Sequence, residues 1–161
     1  MSRLLQGTEE NEAQNYMQQA ARLALSSSCL RSRCGTIIAK NGKVVGEGVN
    51  SPPCDEKLER CLKDDIPKDF KSDRTCCVHA EQRAIIQAIM RTSNDLKGAK
   101  LYFIRVDENG DLKKAGEPYC THCSKLAFDS GISEFLLWQD DGIRAWNAKE
   151  YNEDSFKYRG D

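Results

Sequence analysis

Two short segments, far apart in the chain, constrain its fold more than any other feature: Cys76-Cys-Val-His79-Ala-Glu81 and Pro118-Tyr-Cys120-Thr-His122-Cys123. Between them they hold both histidines of the chain. Zinc takes nitrogen and sulfur ligands in a tetrahedron, and a catalytic site uses three protein ligands and leaves the fourth position to water. His79, Cys120 and Cys123 make up such a set. Cysteines three apart at a helix start can point at one metal, and the positive end of the helix favours the thiolates that bind it. Glu81 stands too close to His79 to serve as a fourth ligand, yet can reach a water on the metal. Zinc lowers the pKa of such a water from about 15.7 toward roughly 7. Glu81 is then the group to carry protons between that water and a substrate, help typically worth about a hundred- to ten-thousand-fold in rate. The alternative is a closed structural site, with Cys77 or His122 as a fourth protein ligand. His122, between the two cysteines, faces away from them in a regular helix start. In either case the starts of two helices must meet.

The remaining pattern supplies those helices and a sheet to carry them. Ala13, Tyr16, Ala20, Leu23 and Ala24 recur at three- and four-residue spacing, which predicts a helix from about Thr8 to Ser26 with Thr8 as its N-cap. Two β-rich runs, Gly35 to Lys40 and Lys43 to Asn50, flank Asn41-Gly42, and both turn residues tolerate positive φ. Residues 51 to 76 carry Pro52, Pro53, Pro67 and many charges without a period, as a long loop or insertion does. His79 to Met90 reads as a buried helix with a small-residue face. Lys100 to Val106 reads as a strand covered on both sides. A polar turn follows around Asn109-Gly110. Thr121 to Ser130 is a short helix closed by Gly131, and Ile132 to Trp138 another buried strand. The tail from Asp140 to Asp161 is expected to hold one or two short helices. Helices alternating with strands after an antiparallel start imply an α/β fold, a mixed sheet with helices on its faces, within one domain over residues 1–161.

Composition decides the setting. The net charge is −1, which argues against a nucleic-acid partner. No apolar run approaches the roughly 18 to 20 residues that span a bilayer, and the N-terminus lacks a secretory h-region. A cytoplasmic protein is expected, with no membrane partner. Eight cysteines in a reducing compartment point to metal or catalytic roles before disulfides. Cys54, Cys61, Cys76 and Cys77, with Cys29 or Cys34 as a further ligand, are candidates for a second, structural zinc that orders the loop; reduced thiols are the alternative. Trp138, Trp146, Tyr151, Phe156 and Tyr158 crowd the C-terminal part, as core, as an oligomer interface or as a lid over the site. Arg31, Arg33 and Lys40 are candidates to meet a phosphate, against the plainer reading of solvated charges.

The paired motifs resemble the zinc-dependent cytidine and deoxycytidylate deaminase superfamily, over roughly residues 20 to 140. Cys29-Leu-Arg-Ser and Val78-His-Ala-Glu-Gln-Arg-Ala-Ile-Ile-Gln are most similar to its deoxycytidylate deaminase branch, which also commonly carries a Cys-containing insertion before the His-Ala-Glu helix. The resemblance implies a three-layer α/β/α fold with a five-stranded mixed sheet. It implies a hydrolytic deaminase that releases ammonia from a pyrimidine nucleoside or nucleotide, with Zn2+ on His79, Cys120 and Cys123. It also implies that Asn50 meets the sugar, that Ala80 meets the pyrimidine edge, and that the enzyme is a homo-oligomer. Tyr119 stands between Pro118 and Cys120, where the family usually joins Pro directly to Cys, and is expected on the pocket floor or stacked on the base. Two alternatives remain at this point: a deaminase of bases in tRNA or single-stranded DNA, and a non-catalytic zinc-binding domain.

Overall fold

The computed structural model describes residues 1–68, 75–92 and 96–159. Its strands are β1 (Arg3–Leu4), β2 (Arg33–Lys40), β3 (Lys43–Val49), β4 (Lys100–Val106), β5 (Leu112–Lys113), β6 (Glu134–Gln139) and β7 (Gly142–Asn147). Its α-helices are α1 (Gly7–Ala24), α2 (Ala80–Thr92), α3 (Thr121–Asp129) and α4 (Ala148–Ser155). Asn41 and Gly42 take positive φ, 52° and 74°, and close the β2–β3 hairpin as their residue types predict. The strand order is β1-β7-β6-β4-β2-β3, with β5 on the end of β4. Only β4 and β6 run parallel; the other pairs are antiparallel.

One face of the sheet is covered by α1, whose Tyr16, Met17 and Ala20 join Ile37, Tyr102, Ile104 and Leu136 in one core. On the other face, Ala84, Ile85 and Ala88 of α2 and Ala127 of α3 join Ile38, Leu101, Phe135 and Leu137. Tyr151 of α4 completes that second core, its ring stacked on Phe135 at 3.9 Å and 7°. Helix layers on both faces give the expected three-layer α/β/α arrangement. The five-stranded sheet expected from the resemblance is corrected to seven strands, because the two-residue strands β1 and β5 extend five longer ones.

The tail also differs from its reading. Strand β7 precedes the one tail helix described, and the Asp140-Asp141 turn folds it back on β6 from Gln139 to Gly142. Its Ile143 and Ala145 face the α1 core while Trp146 faces the other, so both sides of the strand are apolar and it lacks the alternation of a half-exposed strand. Helix α1 starts one residue before Thr8, after an extended Gln6 that makes no side-chain cap.

The position of α2 rests on missing side chains. A Cβ on Gly48 would lie 2.4 Å from the Ala80 carbonyl oxygen, and one on Gly46 2.4 Å from that of Ala84. Two glycines on β3 and the fully buried Ala80, Ala84 and Ala88 on α2 therefore let helix and strand approach backbone to backbone. Of the 51–76 loop, the described part contains two short 3-10 turns, Pro53–Asp55 and Leu62–Asp65; residues 69–74 lie outside the described residues. No helix among the described residues is long and apolar enough to cross a membrane.

Candidate active site

The starts of α2 and α3 meet beyond the carboxyl end of the parallel pair β4 and β6, where open α/β sheets form their crevices. Val78 is tied to Ser51 by two backbone hydrogen bonds, of 2.9 and 3.3 Å, which fix the chain just before α2. His79 follows, its N–H donating to Gln82 Oε1 at 3.0 Å, the reach-back half of a capping box. Cys120 is the N-cap of α3 and its sulfur accepts from the Cys123 N–H at 3.4 Å. Ser124, on the next turn, donates to Asn152 Oδ1 at 2.9 Å and so holds α3 on α4.

This scaffold brings three donors to one point. His79 Nδ1 lies 3.2 Å from Cys123 Sγ and 3.4 Å from Cys120 Sγ. All three ligand atoms lie within 4.8 Å of one another, and they form the one such group among the described residues. Donors held tetrahedrally at zinc's bond lengths of about 2.0 to 2.3 Å stand roughly 3.6 Å apart, so this set fits that ion in donor type and spacing. The electrostatics agree with thiolate formation. The Cys120 thiol is held down to about 4 by a hydrogen bond from Cys123, with help from His79 and the Cys123 backbone N–H. Cys123, fully buried, is the partner that keeps the proton, and its own value is raised. The hydrogen bond with Cys120 raises His79.

Glu81 is buried in the same place, 6% exposed. Burial raises its carboxyl above the ordinary carboxylate value, while the charge of His79 opposes the rise. A carboxyl so placed holds a proton more readily than an exposed one. His79, Glu81 and Cys120 share the wall of a cavity of about 240 Å³ with Asn50, Ala80, Phe103, Arg105 and Tyr119. Asn50 Oδ1 accepts from the Cys34 N–H at 2.7 Å and from Ser27 Oγ at 2.8 Å, and Nδ2 donates to the Ser32 carbonyl at 2.7 Å. One Nδ2 hydrogen is left to point at a ligand. Tyr119 is half-exposed at the cavity and meets Tyr158 edge-on at 4.9 Å.

Other sequence candidates land elsewhere. Cys61 and Cys76 line the cavity with Cys29, Cys34 and Cys77, but Cys54 lies in a separate groove beside Arg83 and Met90. The described residues thus do not gather Cys54, Cys61 and Cys76 as a second metal site. Exposed His122 stands outside the donor group. Arg31 lines the cavity and pairs with Asp64 at 2.5 Å, Arg33 lines an adjoining groove, and Lys40 sits at the hairpin turn, the opposite end of β2. Trp146 and Tyr151 are core, as is partly buried Trp138, whereas Phe156 is exposed. Phe103 and Arg105, read only as parts of a strand, were not marked as site residues. Their signal is parity: both share the face that Leu101 turns to the α2 core.

Comparison with known proteins agrees with this geometry. The family model of the cytidine and deoxycytidylate deaminase zinc-binding region matches residues 10–138. A deoxycytidylate deaminase of Mycobacterium phage D29 is 34% identical over 125 residues, covering 73% of this chain and 86% of that protein. One from Saccharomyces cerevisiae is 30% identical over 149 residues; the match covers 89% of this chain but only 40% of the yeast protein's length. The fold is shared with the dCMP deaminase of cyanophage S-TIM5, solved in complex with dCMP and dUMP (TM-score 0.54, 24% identity, 81% of this chain and 82% of that one). It is shared too with the cytidine deaminase of Burkholderia pseudomallei (TM-score 0.56, 14% identity, 86% and 94%). Zinc is the metal of this family, and His79, Cys120 and Cys123 are the group that can hold it. The chain belongs to the zinc-binding cytidine and deoxycytidylate deaminase family.

Proposed function

We propose that the chain hydrolytically deaminates the cytosine ring of a free nucleoside or nucleotide and releases ammonia. The observation that carries this reading is a buried carboxyl, Glu81, in the wall of the cavity that His79 and Cys120 also line, with Cys123 completing their donor group behind the wall. Zinc, when bound there, supplies a Lewis acid that activates water at neutral pH. Glu81 would take a proton from the attacking water and give it to the ring nitrogen beside the amine-bearing carbon as the water oxygen bonds that carbon; it would then take the remaining hydroxyl proton and pass it to the amine, so that the C–N bond breaks, ammonia leaves and a carbonyl remains. The raised proton affinity of Glu81 suits this two-way traffic. Ala80, the first residue of α2, offers backbone contacts to the pyrimidine edge. Asn50 offers its remaining N–H toward the sugar, already oriented by Ser27, Ser32 and Cys34. Tyr119 places an aromatic face where the base enters. The deoxycytidylate deaminases of yeast and phage D29, and the dCMP complex of the cyanophage protein, support a cytosine nucleotide as substrate.

A homo-oligomer is part of the same reading. Helix α2 leaves Ile86, Ile89 and Met90 exposed in one stretch, more apolar surface than a solvated helix face needs.

The test is ammonia release by zinc-loaded protein from cytidine, deoxycytidine, their monophosphates, and cytosine within a single-stranded oligonucleotide or tRNA. Release from the free compounds is expected. Release from the polymers alone would replace this reading with a nucleic-acid deaminase. Silence throughout, with one zinc bound per chain, would leave a non-catalytic zinc domain.

A further inference from the structure

Strand β4 turns alternate side chains toward α2 and α3. Leu101 is fully buried on that face, Phe103 is half-buried against the same core, and the third position of the series is Arg105. The alternation asks for an apolar residue there. A guanidinium in such a place costs free energy unless another group answers its charge. Among the described residues none does: Arg105 forms no ion pair, and its Nε is buried without a hydrogen-bond partner. Of the other charged groups nearby, Lys63 lines the same cavity from the loop, where its charge is felt by His79, and Asp107 and Glu108 line the outer groove. Arg31 is held by Asp64 at the surface, and exposed Arg33 lines only the outer groove. Glu81, the acid of the cavity, is turned to the metal donors, in hydrogen-bond contact with Cys123.

Position adds to this. Arg105 lines both the catalytic cavity and the groove that opens from it, so it stands at their junction. Strand pairing on two sides fixes its backbone, with Cys34 of β2 and Lys113 of β5 opposite it. The cavity wall therefore holds the metal donors and Glu81 at the starts of α2 and α3 and, on β4, a cation with no ion pair among the described residues.

We infer that Arg105 receives the phosphate of a free nucleotide whose base lies against His79 and Glu81, and that it sets the preference for nucleotide over nucleoside. The inference rests on the deaminase reading of the cavity. A forked guanidinium matches phosphate oxygens in geometry, and the contact is charge-assisted. Strand pairing fixes the backbone from which the fork extends.

Binding tests it without requiring turnover. Zinc-loaded protein is titrated calorimetrically with dUMP and with deoxyuridine, in the wild type and as Arg105→Met, Arg105→Lys and Arg144→Met. Arg144→Met removes an equal charge outside the cavity, where Arg144 pairs with Asp141. Arg105→Met is expected to weaken dUMP about tenfold or more and to shift deoxyuridine by less than about twofold. Arg105→Lys should recover part of the loss, and Arg144→Met should move neither ligand. Equal losses for both ligands, no loss for either, or a wild type without preference for dUMP would overturn the inference. Ammonia release from dCMP by the same wild-type sample is read separately. Silence there, with dUMP still bound through Arg105, counts against the deaminase reading and leaves the role of Arg105 standing.

Discussion

On β4, Tyr102, Ile104 and Val106 point toward α1 and are 2%, 0% and 5% exposed, whereas Leu101, Phe103 and Arg105 on the opposite face pass from full burial to the wall of a cavity. Strand β2 repeats the contrast. Gly35, Ile37 and Ala39 turn to α1, while Cys34, Thr36 and Ile38 turn to the α2 side, where the Thr36 hydroxyl is buried without a partner. One face is apolar along its length and serves stability. The other is apolar only at its far end and gives way to polar side chains where α2 and α3 begin. The same strands thus supply a foundation and a site, separated by the parity of the residue number.

The comparison breaks first at the metal. Cys123→Ala should lose stoichiometric zinc and bring deamination to background, and a chelator should lower the Tm of the wild type but not of the variant. Metal analysis and calorimetric melting check both. On the closed face, Ile104→Ala should cost about 2–5 kcal/mol in denaturant unfolding, with turnover retained well below the melting temperature. A glycine pair then sharpens the contrast. Gly48→Ala would push α2 off β3, and Gly35→Ala would press on the Ala20 carbonyl of α1, 1.9 Å from the new Cβ. Each should cost about 1–3 kcal/mol of stability, but only Gly48→Ala should also lower kcat, because α2 carries Glu81.

The smallest effect lies at the edge of the closed face. The Arg3 hydrogen bond, aided by Lys100, holds the Glu9 carboxyl down to about 2. A carboxyl lowered in the folded state stabilises above its ordinary value of 4.5 and loses that contribution as pH falls from there toward about 2. The cluster is partly exposed, so solvent limits the contribution to about 0.5–1 kcal/mol. Glu9→Gln should therefore lower the Tm at pH 7 and converge on the wild type near pH 2, as paired melts would show.

Legibility followed the strength of local signals. Asn41-Gly42 announced its hairpin because few residues accept two successive positive φ values. The apolar run from Lys100 to Val106 announced a covered strand, and the spacing of Cys120 and Cys123 announced a helix start. Strand β7 was missed because apolar residues on both of its sides left no alternation to read. Arg105 was missed because a cation in an apolar run looks like a solvated interruption; only knowing which face the strand turns to the cavity gives it meaning. The cysteines failed for a related reason. Spacing alone does not say that Cys54 turns to one side of the chain while Cys61 and Cys76 turn to the other.

The central claim is that Glu81 carries protons for a zinc-dependent deamination at the open end of the sheet. The direct measurement is ammonia release from dCMP by wild-type protein and by Glu81→Gln, each carrying one zinc and with matched melting curves. A fall of at least about a hundred- to ten-thousand-fold in kcat, with dUMP binding largely retained, is the predicted result. Comparable turnover in a zinc-matched Glu81→Gln variant would contradict the account.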